Sequence, residues 1–340
     1  MLKFGATAGV AAAIGAPAIV QAAPKSITVA NGGGALEAAF RPAYFDTFEQ
    51  ATGIKVISAP YLDGARLKAM VDARSVDIDV SDLDAAEAGP AGEVGLLENI
   101  DYSIVPTDRL QEGSANKFWT NIYVSSCVIA WNTKAAKTLR IPSTWQQFFD
   151  PSYQGQRSLW RSANQTLDLA AIGGGQDKNK LYPLDLDAAF KALDRIRSQL
   201  SWFDSGAMGA QMISDNDVDF GMIFNGRIQP LKKQGAPVDY TFDNSLLTFG
   251  DLCVPKGVRD KKLSMRFIAH CLETKNQAIF ANNIAYGPTN RDAFAQLSPE
   301  RLEEIPNSPE NIGKGTFVNV DYWTKNGRQV FDRFNKWLVQ

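Results

Sequence analysis

From Lys25 onward, short apolar runs of strand length alternate with longer stretches of helical periodicity. This alternation is the strongest constraint on what the chain can fold into. Ser26 to Ala30, Ile54 to Ser58 and Ile78 to Leu83 read as strands, with helical patterns from Ala35, from Leu62 to Asp72 and from Asp84 to Val94. Such alternation predicts a parallel α/β sheet covered by helices. Pro42 is expected to kink the first helix or start a second turn, and Gly89-Pro90 to break or bend the segment that holds it. Ser126 to Trp131 and Leu246 to Val254 are strongly apolar strands, expected to carry the chain out of one lobe and back into it. Between them, Leu186, Phe190, Leu193, Ile196 and Leu200 recur at helical spacing, the pattern of an amphipathic helix docking on a sheet. Ile141 to Tyr153 holds a short aromatic helix capped by Ser143, and Val238 to Phe242 is a separate strand. The aromatic stripe Tyr322, Trp323, Phe331, Phe334 and Trp337 predicts a final packed helix over Asn319 to Leu338. The expected organisation is a leader (1–22), a first lobe (23–125 plus 252–300), a second lobe with its own sheet (126–251), and a C-terminal helical segment (301–340) packing on the lobes.

A chain of 340 residues with 45% hydrophobic content is large enough for two cored lobes. Its 35 basic and 37 acidic residues nearly cancel, and no Lys/Arg run stands out, so nucleic acid is not a partner. Cys127, Cys253 and Cys271 lie in apolar surroundings and read as small core residues; their spacing fits no metal site. The single His270 reads as structural. Without a second His or a Gly-x-Ser-x-Gly motif, the sequence supports neither an enzyme nor a cofactor. Lys3, the Phe4 to Val20 run and Val20-Gln21-Ala22 form a secretory leader, with cleavage expected between Ala22 and Ala23. Thr7, Gly15 and Pro17 interrupt that run, which argues against a retained membrane span and places the mature chain in the periplasm.

Val218 to Phe224 reads as a buried strand, and Asn225-Gly226 then opens a helix with Asn225 as its cap. Phe224, Asn225 and Arg227 therefore fall at the carboxyl end of a strand, where open α/β sheets bind ligands. Asp82 and Asp84 end the third strand at the same edge, although Asp84 reads equally well as a helix cap. Trp160 follows the strand-like Gln156 to Leu159, and Trp202 and Ser205 follow another strand. The Asn31-Gly32-Gly33-Gly34 loop is read as an amide nest that, with the Arg227 fork, attracts an anionic group. Such loops also occur simply to turn the chain. Arg227 opposes the dipole at the start of its helix, a conflict explained if it meets an anion or a buried carboxylate. The glycines match neither Gly-x-Gly-x-x-Gly nor a Walker motif, so nucleotide binding is unsupported.

Asp219-Phe-Gly-Met-Ile-Phe-Asn-Gly226 resembles a segment of the periplasmic spermidine/putrescine-binding proteins of ABC importers. The resemblance extends over roughly residues 26 to 338, through Phe48 to Val56, Ala130 to Thr133, Pro142 to Phe149, Asp251 to Gly257 and Ile284 to Asn290. It implies a two-lobed type II periplasmic-binding fold with two crossover hinge strands; the chain is expected to act as a monomer. It also implies delivery of a small amine-bearing solute to a permease in the inner membrane. Carried over residue by residue, it assigns Phe224 and Tyr286 to aromatic contacts and Asp168 to a ligand amine, with Asp251 one position from an expected carboxylate. Gly32 to Gly34 and Ala85-Ala86 stand where the family has aromatic residues, which favours a short zwitterion over a long polyamine. The alternatives are a ferric-iron carrier of the same fold, which usually employs adjacent Tyr ligands that this chain lacks, and a secreted hydrolase.

Overall fold

The computed structural model describes residues 26–340; the leader and its cleavage site lie outside the described residues. Among the described residues there are ten strands: β1 (Ser26–Asn31), β2 (Lys55–Pro60), β3 (Val80–Asp82), β4 (Trp119–Asn132), β5 (Arg157–Trp160), β6 (Leu200–Phe203), β7 (Phe220–Phe224), β8 (Val238–Cys253), β9 (Gly287–Pro288) and β10 (Thr316–Phe317). Their order is β2-β1-β3-β8-β4-β7-β5-β6, with β9 on β4 and β10 on β8. The parallel pairs β1–β2, β1–β3, β5–β6 and β5–β7 are the βαβ units that the strand–helix alternation implies.

The two long strands join the lobes. β4 and β8 run antiparallel from Trp119 against Cys253 to Asn132 against Val238. One end of this pair continues into β3 of the first lobe and the other into β7 of the second. Separate sheets are therefore not what is found: the hydrogen-bonded ladder passes through the crossover pair. Val238 to Phe242 and Leu246 to Val254, expected as two strands, are one, with a register shift between Cys127 and Ile129 absorbing the irregularity. One apolar core, around Phe40, Tyr44, Phe45, Phe267 and Phe280, fills the first lobe. A second, around Trp145, Phe148, Leu193 and Phe220, fills the other. All three cysteines are buried and free, and among the described residues no helix is long and apolar enough to cross a membrane.

Local signals err where tertiary packing overrides them. At Pro42 the chain stays helical but changes type: the proline lies in the first turn of a π-helical segment, Arg41–Phe45, between Ala35–Phe40 and Asp46–Thr52. Gly89 and Pro90 lie inside one continuous helix, Ala85–Glu93. Thr144, not Ser143, caps the short helix at Trp145. The glycine at 89 has a packing reason: a Cβ there would stand 2.1 Å from Thr324 Oγ1 on the last helix, Val320–Leu338. That helix buries Trp323, Val330, Phe334 and Trp337 within the core of the second lobe while crossing Ala85–Glu93 of the first. Gly89→Ala should therefore lower stability by about 1–3 kcal/mol, the usual cost of forcing extra carbon into a packed contact. Equilibrium urea unfolding measures this, and an unchanged midpoint would show that the two helices are not in close contact at this point.

Candidate ligand-binding site

Where the crossover strands pass between the lobes, they form the floor of a cavity of about 250 Å3. Tyr123 and Ser125 of β4 and Thr248, Phe249 and Gly250 of β8 supply that floor. The first lobe adds Gly32, Tyr61, Asp82, Asp84 and Tyr286; the second adds Trp160, Asp204, Ser205, Phe224 and Arg227. Two glycines make room for the rings. At Gly250 a Cβ would stand 1.9 Å from the Tyr123 ring, and at Gly226 one would stand 2.4 Å from Tyr286. Tyr123 and Tyr286 consequently stack at 5.1 Å between centroids, 13° from coplanar. On the opposite wall Trp160 and Phe224 meet edge to face at 5.4 Å. Rings on both sides leave a slot suited to an alkyl chain or a cation.

The polar end of the slot is acidic. Asp82 closes β3 and lies 3.4 Å from the Tyr123 hydroxyl, with burial pushing its pKa up to about 7 against that hydrogen bond. The neighbouring Asp84 raises it further and Arg227 opposes the rise. Asp84 caps the helix Ala85–Glu93 by accepting from Ala86 N at 2.8 Å, and its other oxygen accepts from Gln165 Nε2 of the second lobe at 3.1 Å. Burial raises its pKa as well, against those hydrogen bonds. Glu87, one turn on, is pushed up to about 7 by burial and by Asp84, and accepts from the Tyr61 hydroxyl at 3.2 Å. Beneath them Asp251 is fully buried with neither carboxylate oxygen hydrogen-bonded; the Ala85 amide eases its charge only weakly. Burial, then Asp84 and Asp82, hold its pKa well above the ordinary range. Among the described residues no group of His, Cys, Asp and Glu is arranged to hold a metal ion.

Arg227 does not face an amide nest. Its Nη1 donates to Gly33 O at 3.0 Å and its Nη2 to Gly32 O at 3.3 Å, so the glycine loop offers carbonyls. The Gly33 amide is tied to Asn31 Oδ1 at 2.8 Å, and Asn31 itself is buried against Ser58. Positive φ at Gly33 and Gly34 (61° and 57°) turns the loop this way, a backbone shape open to glycine. Arg227 thus spans the lobes, with its Nε and one hydrogen on each Nη still free of these two bonds.

Of the residues singled out in the sequence, Phe224, Arg227, Tyr286, Asp82, Asp84, Trp160 and Ser205 line this one cavity. Other expectations are corrected. Asn225 is the first residue of its helix rather than the cap; its side chain accepts from Ser126 N at 3.1 Å and donates to Ala285 O. Asp168 is fully buried away from the cavity, accepting from the Tyr182 hydroxyl, from Trp323 Nε1 at 3.2 Å and from Gln165 N at 2.9 Å. Burial lifts it to about 6, and it steadies Gln165, whose positive φ of 57° presents its amide to Asp84. Trp202 packs on Phe334 and Trp337, on the face the last helix covers. Asn31 and Asp251 support the wall from behind, and Gly33 contributes its carbonyl to Arg227. Tyr61, Tyr123 and Thr248 to Gly250 were not foreseen.

Two lobes joined by a pair of crossover strands around an aromatic and acidic slot define a solute-binding protein of the ABC-importer type. The chain belongs to the bacterial extracellular solute-binding protein family, whose profile matches residues 43–310. A gamma-aminobutyric acid-binding protein of Pseudomonas aeruginosa is 30% identical over 331 residues, covering 95% of this chain and 94% of the relative. AgtB from A. tumefaciens R10, solved in complex with agropinic acid, superposes with a TM-score of 0.86 at 31% identity. That match covers 93% of this chain and 99% of the other. A spermidine/putrescine-binding periplasmic protein of Haemophilus influenzae is 25% identical over 275 residues, 77% of this chain and 75% of its own length.

The raised carboxyls fix a pH dependence. Asp82, Asp84, Glu87, Asp168 and Asp251 all bind protons more tightly folded than at their ordinary values. Their contribution is fully present below the ordinary carboxylate pKa and is lost as pH rises through the folded values, about 6 for Asp168 and about 7 for Asp82 and Glu87. The ligand-free protein should melt at a higher temperature near pH 5 than near pH 8. Calorimetric melting that shows the reverse order would mean that these carboxylates are ionised and compensated.

Proposed function

We propose that this chain is the periplasmic solute-binding component of an ABC importer, acting as a monomer. It captures a short amine-bearing zwitterion, 4-aminobutyrate being the model case, and delivers it to an inner-membrane permease. The observation that carries this reading is opposite charge within one small cavity. The buried carboxylates Asp82 and Asp84 need a cation, and Arg227 lies close enough to lower the Asp82 pKa. A ligand with one ammonium and one carboxylate satisfies both, whereas a long diamine would bring a second cation toward Arg227. Its methylenes lie across Trp160 and Phe224, and its carboxylate takes the guanidinium donors that the Gly32 and Gly33 carbonyls leave over.

The lobes proposed to close are 23–125 with 252–300 and 126–251, hinged on β4 and β8, with 301–340 packed against them. Contacts across the gap from Arg227 to Gly32 and Gly33, and from Gln165 to Asp84, hold the closed form. Capture needs no covalent step. The relative named for gamma-aminobutyric acid supports the zwitterion, and the one named for spermidine/putrescine keeps a diamine as the competing ligand.

Calorimetry on wild type, Asp82→Asn and Arg227→Ala with 4-aminobutyrate and putrescine tests the assignment. Losing a charge-assisted partner costs about 1.5–3 kcal/mol. Asp82→Asn should weaken both ligands by that amount, and Arg227→Ala should weaken 4-aminobutyrate alone by it. Equal effects of Arg227→Ala on the two ligands would leave Arg227 as an interlobe clasp with no part in reading a carboxylate.

A further inference from the structure

A second cavity, of about 480 Å3, opens on the outside of the same seam. Its walls are Gln229, Lys232 and Lys233 from the helix Asn225–Lys233, Tyr240 and Phe242 from β8, and Glu303 and Glu304 from the first-lobe side. Tyr240 and Phe242 meet at 90° with centroids 5.5 Å apart, offering a ring face and a ring edge. Gln229 is 4% exposed and its amide nitrogen has no hydrogen-bond partner, an unmet donor at the inner wall. Lys232 is held by Asp239 at 2.6 Å, and Lys233 reaches across the lobes to Glu304 at 3.0 Å. Arg301 also meets Glu304, at 2.8 Å, which leaves the exposed Glu303 as the groove carboxylate without an ion-pair partner among the described residues.

We propose that this groove is a second solute site, taking a small zwitterion with an apolar body, of the phenylalanine kind, and favouring closure of the main cleft. The ligand carboxylate meets Gln229 and the free ammonium hydrogens of Lys232 and Lys233. Its ammonium meets Glu303, and its side chain lies against Tyr240 and Phe242. The paired charges lining the groove nearly cancel, which disfavours a net cation or a net anion and suits a neutral dipolar ligand. Coupling follows from the scaffold. The helix Asn225–Lys233 carries Arg227 into the cleft at one end and Gln229, Lys232 and Lys233 into the groove at the other. A ligand touching both lobes binds the closed form better, and linkage then makes each site favour the other.

The test is calorimetry of the full chain with L-phenylalanine as probe. Binding should be present in wild type and unchanged in the cleft variant Phe224→Ala. It should be weakened about tenfold or more in Glu303→Gln and in Tyr240→Ala, as loss of one charge-assisted or stacking partner implies. Glu303 is exposed, so its substitution leaves the fold intact, and unchanged unfolding midpoints verify this. Saturating phenylalanine should tighten 4-aminobutyrate by about fivefold or more. Absence of phenylalanine binding in wild type, its loss in Phe224→Ala, or its indifference to both groove variants would each overturn the proposal. The phenylalanine titration decides the groove even if 4-aminobutyrate fails to bind the cleft.

Discussion

Burial of negative charge is the constraint on which the site depends. Asp82, Asp84 and Asp251 converge where β3 meets β8, in surroundings too dry for three ionised carboxylates. An uncompensated buried charge costs several kcal/mol, so such a cluster either holds protons or awaits a cation. The Tyr123 hydroxyl, the helix N-terminus at Ala86 and the Gln165 amide relieve part of that cost, and Asp251 receives almost none of it. A cleft built this way is poised for an ammonium group, because the arriving charge replaces protons that the empty site must otherwise keep.

The fold brings these groups together through its two long strands. β4 and β8 belong to both lobes, so the closure proposed above would turn about their middle, a hinge arrangement of the kind known to close around small solutes. Groups on either side then change neighbours together. Arg227 to the Gly32 and Gly33 carbonyls, Gln165 to Asp84, and Lys233 to Glu304 are the contacts that bridge the seam, and the proposed closure would make and break them together. Gly226 and Gly250 matter for the same reason: each leaves the volume that a tyrosine ring fills at the seam.

Much of this was legible in the sequence, and the limits have physical causes. The strand-to-turn pattern around Phe224 and Arg227, and the acid-terminated third strand, locate one edge of the sheet without any structure. Tyr123 was hidden because it lies in an apolar strand, where only the pairing with β8 reveals that its ring faces the cleft. Tyr61 follows β2 in a loop whose side chains carry no periodic signal. Trp202 and Asp168 were misplaced for the converse reason. Trp202 sits in β6 and Asp168 in the helix Ala163–Gly173, where the family resemblance assigns it to the ligand; the last helix packs against both, and only tertiary packing determines that. The glycine loop misled because its composition specifies a tight turn, not whether amides or carbonyls point inward.

The central claim is that the ligand ammonium takes over the charge of carboxylates that are partly protonated in the empty cleft. Calorimetry of 4-aminobutyrate binding near pH 7, repeated in buffers of different ionisation enthalpy, counts the protons exchanged. With Asp82 and Glu87 both pushed up to about 7, binding should release a fraction of a proton, and affinity should rise with pH up to that point. Binding with no proton exchange, or with uptake, would contradict the account.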